Sequence, residues 1–283
     1  MSLLSPFVDN EFLLRALLAG SLISVACAVA GTYVVLRGLA FIGDALAHGV
    51  LPGVAGALLV GAPGLLGAAV GAAAMVGGVA LVTSRSRLST DTAIGLLFVG
   101  MLALGVVIVS RSSTFRGDLV GILFGELLGV SDADLALQAG CTAAVVAVGT
   151  LFTRPFLLLC FDTDLARVSG FPARRYHALM LVLVAATVVV SFQTVGTLLV
   201  FGLLLAPAAT GALVTRRVGA MMAWGAVHGI ASTYVGLLVS FHLGYAAGAS
   251  VVLVAVALFF CVFAVVRARA VLATRTARLE AAR

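Results

Sequence analysis

Phe41-Ile42-Gly43-Asp44-Ala45-Leu46-Ala47-His48-Gly49-Val50-Leu51-Pro52-Gly53 opens an apolar run that continues to Gly61. Asp44 and His48 are four residues apart, which on a helix puts both side chains on one face, about one turn apart. An aspartate at bilayer depth costs roughly 2.5–3.5 kcal/mol on insertion scales, so it is seldom there without a role. A carboxylate with an imidazole is a usable half of a divalent-metal site. Pro52 removes the hydrogen bond to the His48 carbonyl, which leaves a polar acceptor beside the pair. Gly49 and Gly53 stand at G-x-x-x-G spacing and admit a second helix closely. The pair could serve only as polar glue between spans. A costly acid, a metal-capable base and an interrupted helix in one place favour a metal site.

The composition fixes the class. Of 283 residues, 63% are apolar and 10% charged, with 32 glycines and a mean hydropathy of +1.24. That is the profile of an all-α polytopic membrane protein in a lipid bilayer, not of a soluble domain. The net charge of +6 comes from arginines lying mainly between apolar runs, so it reads as membrane topology and not as nucleic-acid binding. The chain has no lysine. It therefore lacks a phosphate loop and Schiff-base chemistry, and any ATP-driven transport needs a separate ATP-binding subunit. Cys27, Cys141, Cys160 and Cys261 show no C-x-x-C spacing and read as packing residues. No H-E-x-x-H or similar constellation marks an intramembrane enzyme.

The hydropathy pattern predicts about nine spans, with eight or ten as alternatives. Residues 1–11 carry Asp9 and Glu11 and no base, unlike a cleaved signal. Spans are expected at about 12–36, 41–61, 65–83, 92–110 and 135–159. Two further crossings, about 177–192 and 197–214, are separated by a turn at 193–196 on the outside. The last two are expected at about 220–241 and 246–266. Ser89 or Thr90 suits a helix cap ahead of Asp91. The segment 119–128 is too short to span and is expected in the interface or dipping partway in. Loops with Arg85 and Arg87, with Arg167, Arg174 and Arg175, and with Arg216 and Arg217 lie inside by the positive-inside rule. The whole of 1–283 is then a single permease-like domain with a basic cytoplasmic tail at 267–283. His228, within an apolar span, suits a helix–helix hydrogen bond. The acids of 118–134 suit a solvated face.

Four ordered motifs carry a resemblance. The first is Phe41-Ile42-Gly43-Asp44-Ala45-Leu46 with His48 and Val50-Leu51-Pro52-Gly53-Val54. The second is Phe124-Gly125-Glu126-Leu127-Leu128-Gly129-Val130-Ser131. The third is Phe161-Asp162 with Ala166 and Gly170. The last is Val195-Gly196, Leu198-Leu199-Val200 and Pro207-Ala208-Ala209-Thr210. Together, from about residue 12 to 266, they resemble the permeases of the zinc/manganese ABC importers. Glu126 departs from the pattern, being an acid where many relatives carry a neutral polar residue.

The resemblance implies a homodimer of the type II import fold in the cell membrane, working with an ATPase dimer and an extracytoplasmic metal-binding protein. It puts the transported Zn2+ or Mn2+ on Asp44 and His48 and implies no permanently bound cofactor. It puts the main ATPase contact at Pro207–Gly219, with Pro207, Ala208, Ala209, Thr210, Ala212, Arg216 and Arg217 forming a short coupling helix. The loop Asp162–Arg175 is the rival element. Arg111 and Arg116, in a mixed-charge segment, are candidates for docking the binding protein. An ion-coupled secondary carrier and a type II permease for a metal chelate are the competing functions.

Overall fold

The computed structural model describes residues 5–110 and 127–281. Its helices are α1 Ser5–Asp9, α2 Glu11–Leu36, α3 Ala40–Gly49, α4 Leu51–Leu59, α5 Gly64–Arg85, α6 Thr90–Ser110, α7 Asp132–Leu151, α8 Thr153–Phe161, α9 Thr163–Val168, α10 Ala173–Val214, α11 Val218–Leu243 and α12 Ala247–Ala281. Among the described residues, nine segments are long and apolar enough to cross a bilayer. Helices suit such a chain, because each apolar run of this length then satisfies all its backbone polar groups within its own segment.

The packing follows small residues. α2 lies at the centre, against α7, α10 and α11, and buries Ala16, Ala19, Ile23, Cys27, Ala30 and Tyr33. Ser24 Oγ lies 3.2 Å from Thr233 Oγ1, and a Cβ on Gly31 would overlap the Leu204 carbonyl. Tyr33 donates to the Gly149 carbonyl at 2.6 Å. His228 Nε2 lies 3.1 Å from the Ala255 carbonyl, the helix–helix hydrogen bond expected of it.

α3 and α4 form one span. They meet at Val50, which keeps helical dihedrals of φ −76° and ψ −21°. Pro52 therefore interrupts the hydrogen-bond ladder without turning the chain. The expected small-residue contact is made by α5: a Cβ on Gly53 would overlap the Gly67 carbonyl, and Gly71 lies against Gly49 and Val50.

α10 has two limbs, Ala173–Phe192 and Thr194–Val214, and the helix is broken near their junction at Gly196, whose φ is +74°. His177 of the first limb meets Arg37 at the end of α2. Cys141 of α7 reaches the Ala186 carbonyl, while Thr142 reaches back to Leu22. The first limb thus runs opposite to α2. The second runs with it, Cys27 meeting Val200 and Gly31 meeting Leu204 and Ala208. Two crossings with a reversal match the sequence pattern. The turn lies toward the side away from the arginine-rich end, as expected, but it is covered by protein: Thr194, Val195 and Thr197 are inside the bundle. Non-helical backbone is tolerated at such depth only where protein covers it.

Two expectations change. The fifth span ends at Leu151 and not near residue 159. Phe152 breaks the helix, and α8 restarts with Pro155 in its first turn, where a missing N–H costs nothing. Arg154 is thereby kept out of a spanning segment. No separate helix forms in Pro207–Gly219. Pro207 lies inside the second limb of α10, and Thr215–Arg217 connect it directly to α11.

This topology gathers Arg37, Arg85, Arg174, Arg216, Arg217 and Arg267 at one end of the bundle. At the other end Arg15 pairs with Glu11 at 2.7 Å and with Asp132 at 3.3 Å. There Ser131 and Asp134 form a reciprocal cap on α7, so two acids expected merely on a solvated face have partners on it. Of the short segment 119–128, Leu127 and Leu128 enter a 3-10 turn, Leu127–Gly129, with Leu127 buried; the rest of it, with Glu126, lies outside the described residues.

Candidate metal site

Asp44 and His48 sit on α3, about 6 and 12 Å along a 20-residue span that begins at Ala40. His48 Nε2 and Asp44 Oδ1 are 3.4 Å apart, with the side chains 23% and 33% exposed. That separation is long for a direct hydrogen bond. An ion about 2.1 Å from each atom would see them at roughly 108°, an angle that tetrahedral coordination accepts.

The His48 ring packs edge-on against Phe98 of α6, with centroids 5.7 Å apart and planes at 61°. Its Nδ1 is buried and has no hydrogen-bond partner, so packing orients the ring where metal-bound histidines usually rely on an acceptor. Asp44 opens on a cavity of about 320 Å³ between α3 and α6, lined also by Phe41, Asp91, Ile94 and Phe98. Among the described residues no third His, Cys, Asp or Glu joins the pair as a ligand group. One chain thus offers two donors, fewer than the four to six that zinc or manganese takes.

Asp91 lines the same cavity and escaped sequence reasoning, which placed it only in the first turn of α6. The cap is as expected, Ser89 Oγ accepting from the Thr92 N–H at 3.1 Å. That spacing starts Asp91 on the face toward α3, a contact visible only once α6 is docked.

The other candidates scatter. Pro207, Ala208 and Thr210 are buried within the chain. Ala209 is half-buried, and Ala212, Arg216 and Arg217 are exposed. A free short helix lies instead in the rival loop. α9 is capped by Asp162, whose side chain accepts from the Asp164 and Leu165 N–H groups. Only Ala166 is buried on it, against Leu159 and Ala173. Arg111 and Arg116 lie outside the described residues. Cys27 is buried, Cys141 and Cys160 are half-buried and Cys261 is exposed, all four as free thiols.

Residues 9–266 match the model of the ABC 3 transport family. The chain is 38% identical over 267 residues to the manganese transport system membrane protein MntC of Halalkalibacterium halodurans, covering 93% of this chain and 91% of that protein. It is 37% identical over 257 residues to a probable iron transport system membrane protein of Haemophilus influenzae, covering 91% and 94%. The fold is similar to PsaBC from Streptococcus pneumoniae, solved with a Fab, with a TM-score of 0.81 and 32% identity over 92% of this chain and 95% of that one. Fold and resemblance agree on a type II importer permease, an architecture that leaves ATP hydrolysis to another subunit. The chain belongs to the ABC 3 transport family, as a multi-pass permease of the cell membrane.

Proposed function

We propose that this permease imports manganese in an ATP-driven transporter, receiving the ion from an extracytoplasmic binding protein and passing it to the cytoplasm. The observation that carries the reading is the Asp44–His48 pair, 3.4 Å apart beside a cavity in a chain otherwise poor in membrane-embedded acids. The manganese name of a relative 38% identical supports the choice of metal. Zinc is the competing cargo for the same two donors. Iron is a second reading, favoured by the name of the Haemophilus influenzae relative.

Two donors per chain suit a homodimer in which a two-fold axis brings a second Asp44–His48 pair to the same ion. The arginine-rich end faces the cytoplasm by the positive-inside rule, and the last helix continues past its span to Ala281, carrying much of the basic tail of 267–283 there. Coupling to the ATPase is assigned to α9 and not to Pro207–Gly219, because α9 is short, exposed and anchored through Ala166. A rigid element of that kind can pass domain closure into the bundle. Arg111 and Arg116 are assigned to docking of the binding protein.

The test is uptake of radioactive manganese into proteoliposomes containing permease, ATPase and binding protein, with zinc and ferrous iron as competitors. ATP-dependent manganese uptake that zinc and iron displace only in large excess is expected. Uptake without the ATPase would return the chain to the secondary-carrier reading. Preferential zinc or iron uptake would reassign the cargo.

A further inference from the structure

The arginine-rich end holds a second cavity, of about 350 Å³, lined by neither Asp44 nor His48. It lies between α5, α9 and the first limb of α10, with Arg37, Arg167 and Arg174 around it and Val76, Ala80 and Leu181 on its apolar wall. Arg37 is half-buried at the end of α2. Its Nη1 donates to His177 Nδ1 at 3.0 Å. A guanidinium cannot accept, so Nδ1 is the bare nitrogen and the imidazole is neutral. Arg37 therefore has a polar neighbour but no counter-charge from it.

Among the described residues no carboxylate comes within ion-pair distance of Arg37 or Arg174. Asp164 pairs with Arg167 at 2.8 Å, both exposed. Burial pulls the Arg37 guanidinium below its ordinary pKa, the mark of a cation held partly away from water. It stays charged, because an arginine does not lose its proton in a protein. A half-buried charge without an opposite one is costly, so the cavity is short of an anion.

Guanidinium groups converging on one space suit phosphate oxygens, which they bind in bidentate fashion. The apolar wall decides the source of the phosphate. A free phosphate gains nothing from Val76 and Ala80, whereas an acyl chain does. The cavity also lies at the end that the positive-inside rule places in the cytoplasmic leaflet, where basic pockets between spans bind acidic headgroups. We propose that this cavity binds the phosphate group of an acidic phospholipid, with Arg37 and Arg174 on the headgroup and Val76 and Ala80 along the first part of the chain.

The test uses the purified permease–ATPase complex in detergent, titrated with phosphatidylglycerol, phosphatidylcholine or sodium phosphate. Lipid retention is read by native mass spectrometry and stability by unfolding temperature. Phosphatidylglycerol is expected to be retained and to raise the unfolding temperature, and phosphatidylcholine is not. Arg37→Gln should weaken retention roughly tenfold, the scale of one lost charge-assisted hydrogen bond. Ala80→Trp keeps every charge and fills the wall, so it should do the same even where Arg37→Gln folds poorly. Arg269→Gln removes an exposed charge elsewhere and should change nothing. Equal retention of the two lipids, or equal retention by wild type, Arg37→Gln and Ala80→Trp, overturns the proposal. A stability gain from sodium phosphate equal to that from phosphatidylglycerol overturns the lipid as the source. Release of the ATPase by Arg37→Gln with lipid retention unchanged would mean that an ATPase acid supplies the counter-charge, which also overturns it.

Discussion

Replacing Asp44 by asparagine keeps the side-chain shape and removes the anionic oxygen that faces His48. The folding cost should be small. Asp44 and His48 are only partly exposed and their 3.4 Å contact is loosely aligned; asparagine gives that contact up but also removes a charge whose placement at bilayer depth is itself costly. The transport cost should be large. Loss of a mere outer-shell partner weakens metal binding by roughly 10–100-fold, so loss of a direct ligand should cost at least about 100-fold, or about 2.7 kcal/mol. His48→Gln should behave alike. The assay is initial manganese uptake at limiting metal in the assembled transporter, read beside expression level, unfolding temperature and ATPase association. The expected signature is uptake near background with the other readouts within error of wild type. Retention of more than about a third of wild-type uptake by both variants would refute the site, since no direct ligand loss is that mild. Loss of uptake together with collapse of expression would show instead that the pair holds the fold.

The remaining expectations test other parts of the molecule. Charge reversal at Arg111 and Arg116 should slow docking of the binding protein most at low salt, because charges facing each other across an encounter act mainly on approach rate and are screened by salt; unchanged association kinetics across salt would remove the assignment. A cysteine at Leu165 should crosslink to the ATPase and one at Ala212 should not, both positions being exposed; the reverse pattern returns coupling to Pro207–Gly219. Gly53→Val would drive a side chain into the Gly67 carbonyl, whereas Gly56 has open space around it. The first should lower the unfolding temperature, with a cost of roughly 1–3 kcal/mol or more, and Gly56→Val should not. Tyr33→Phe should cost about 1 kcal/mol in denaturation by removing the donor to Gly149; an unchanged midpoint would mean that the bond contributes nothing.

The spans were legible because bilayer-length apolar runs admit few alternatives, and even the double crossing inside 173–214 could be read from its length and its glycine. The G-x-x-x-G face of α3 and α4 pointed correctly to a close helix, though only docking identified α5. What failed was local. Arg154 is a single charge in a long apolar stretch, and hydropathy averaged it away; the one sequence signal for the break at Phe152, Pro155 three residues on, was outweighed by the length of the apolar run. In Pro207–Gly219 the proline suggested an interruption, yet a span can carry a proline when neighbouring helices cover the freed carbonyl. Half of the candidate metal site was readable, as a polar pair at helical spacing. Asp91 and Phe98 were not, because they come from a helix more than forty residues away whose rotation depends on packing.

The buried reversal at Gly196 also bears on how the chain enters the membrane. Without it, the 42 residues of α10 would make one rod of about 63 Å, roughly twice the hydrocarbon thickness. The reversal carries no charge of its own to instruct the insertion machinery. Its orientation is set by the arginines at both ends, Arg174 and Arg175 on one side and Arg216 and Arg217 on the other, which hold the same side of the bilayer. The two limbs must therefore enter as a hairpin. A residue that cannot adopt φ of +74° would put this folding-back at risk, and with it the parity of every later segment: α11 and α12 would be threaded with inside and outside exchanged. One glycine, distant from the metal, thus acts with these four arginines in threading the last two helices.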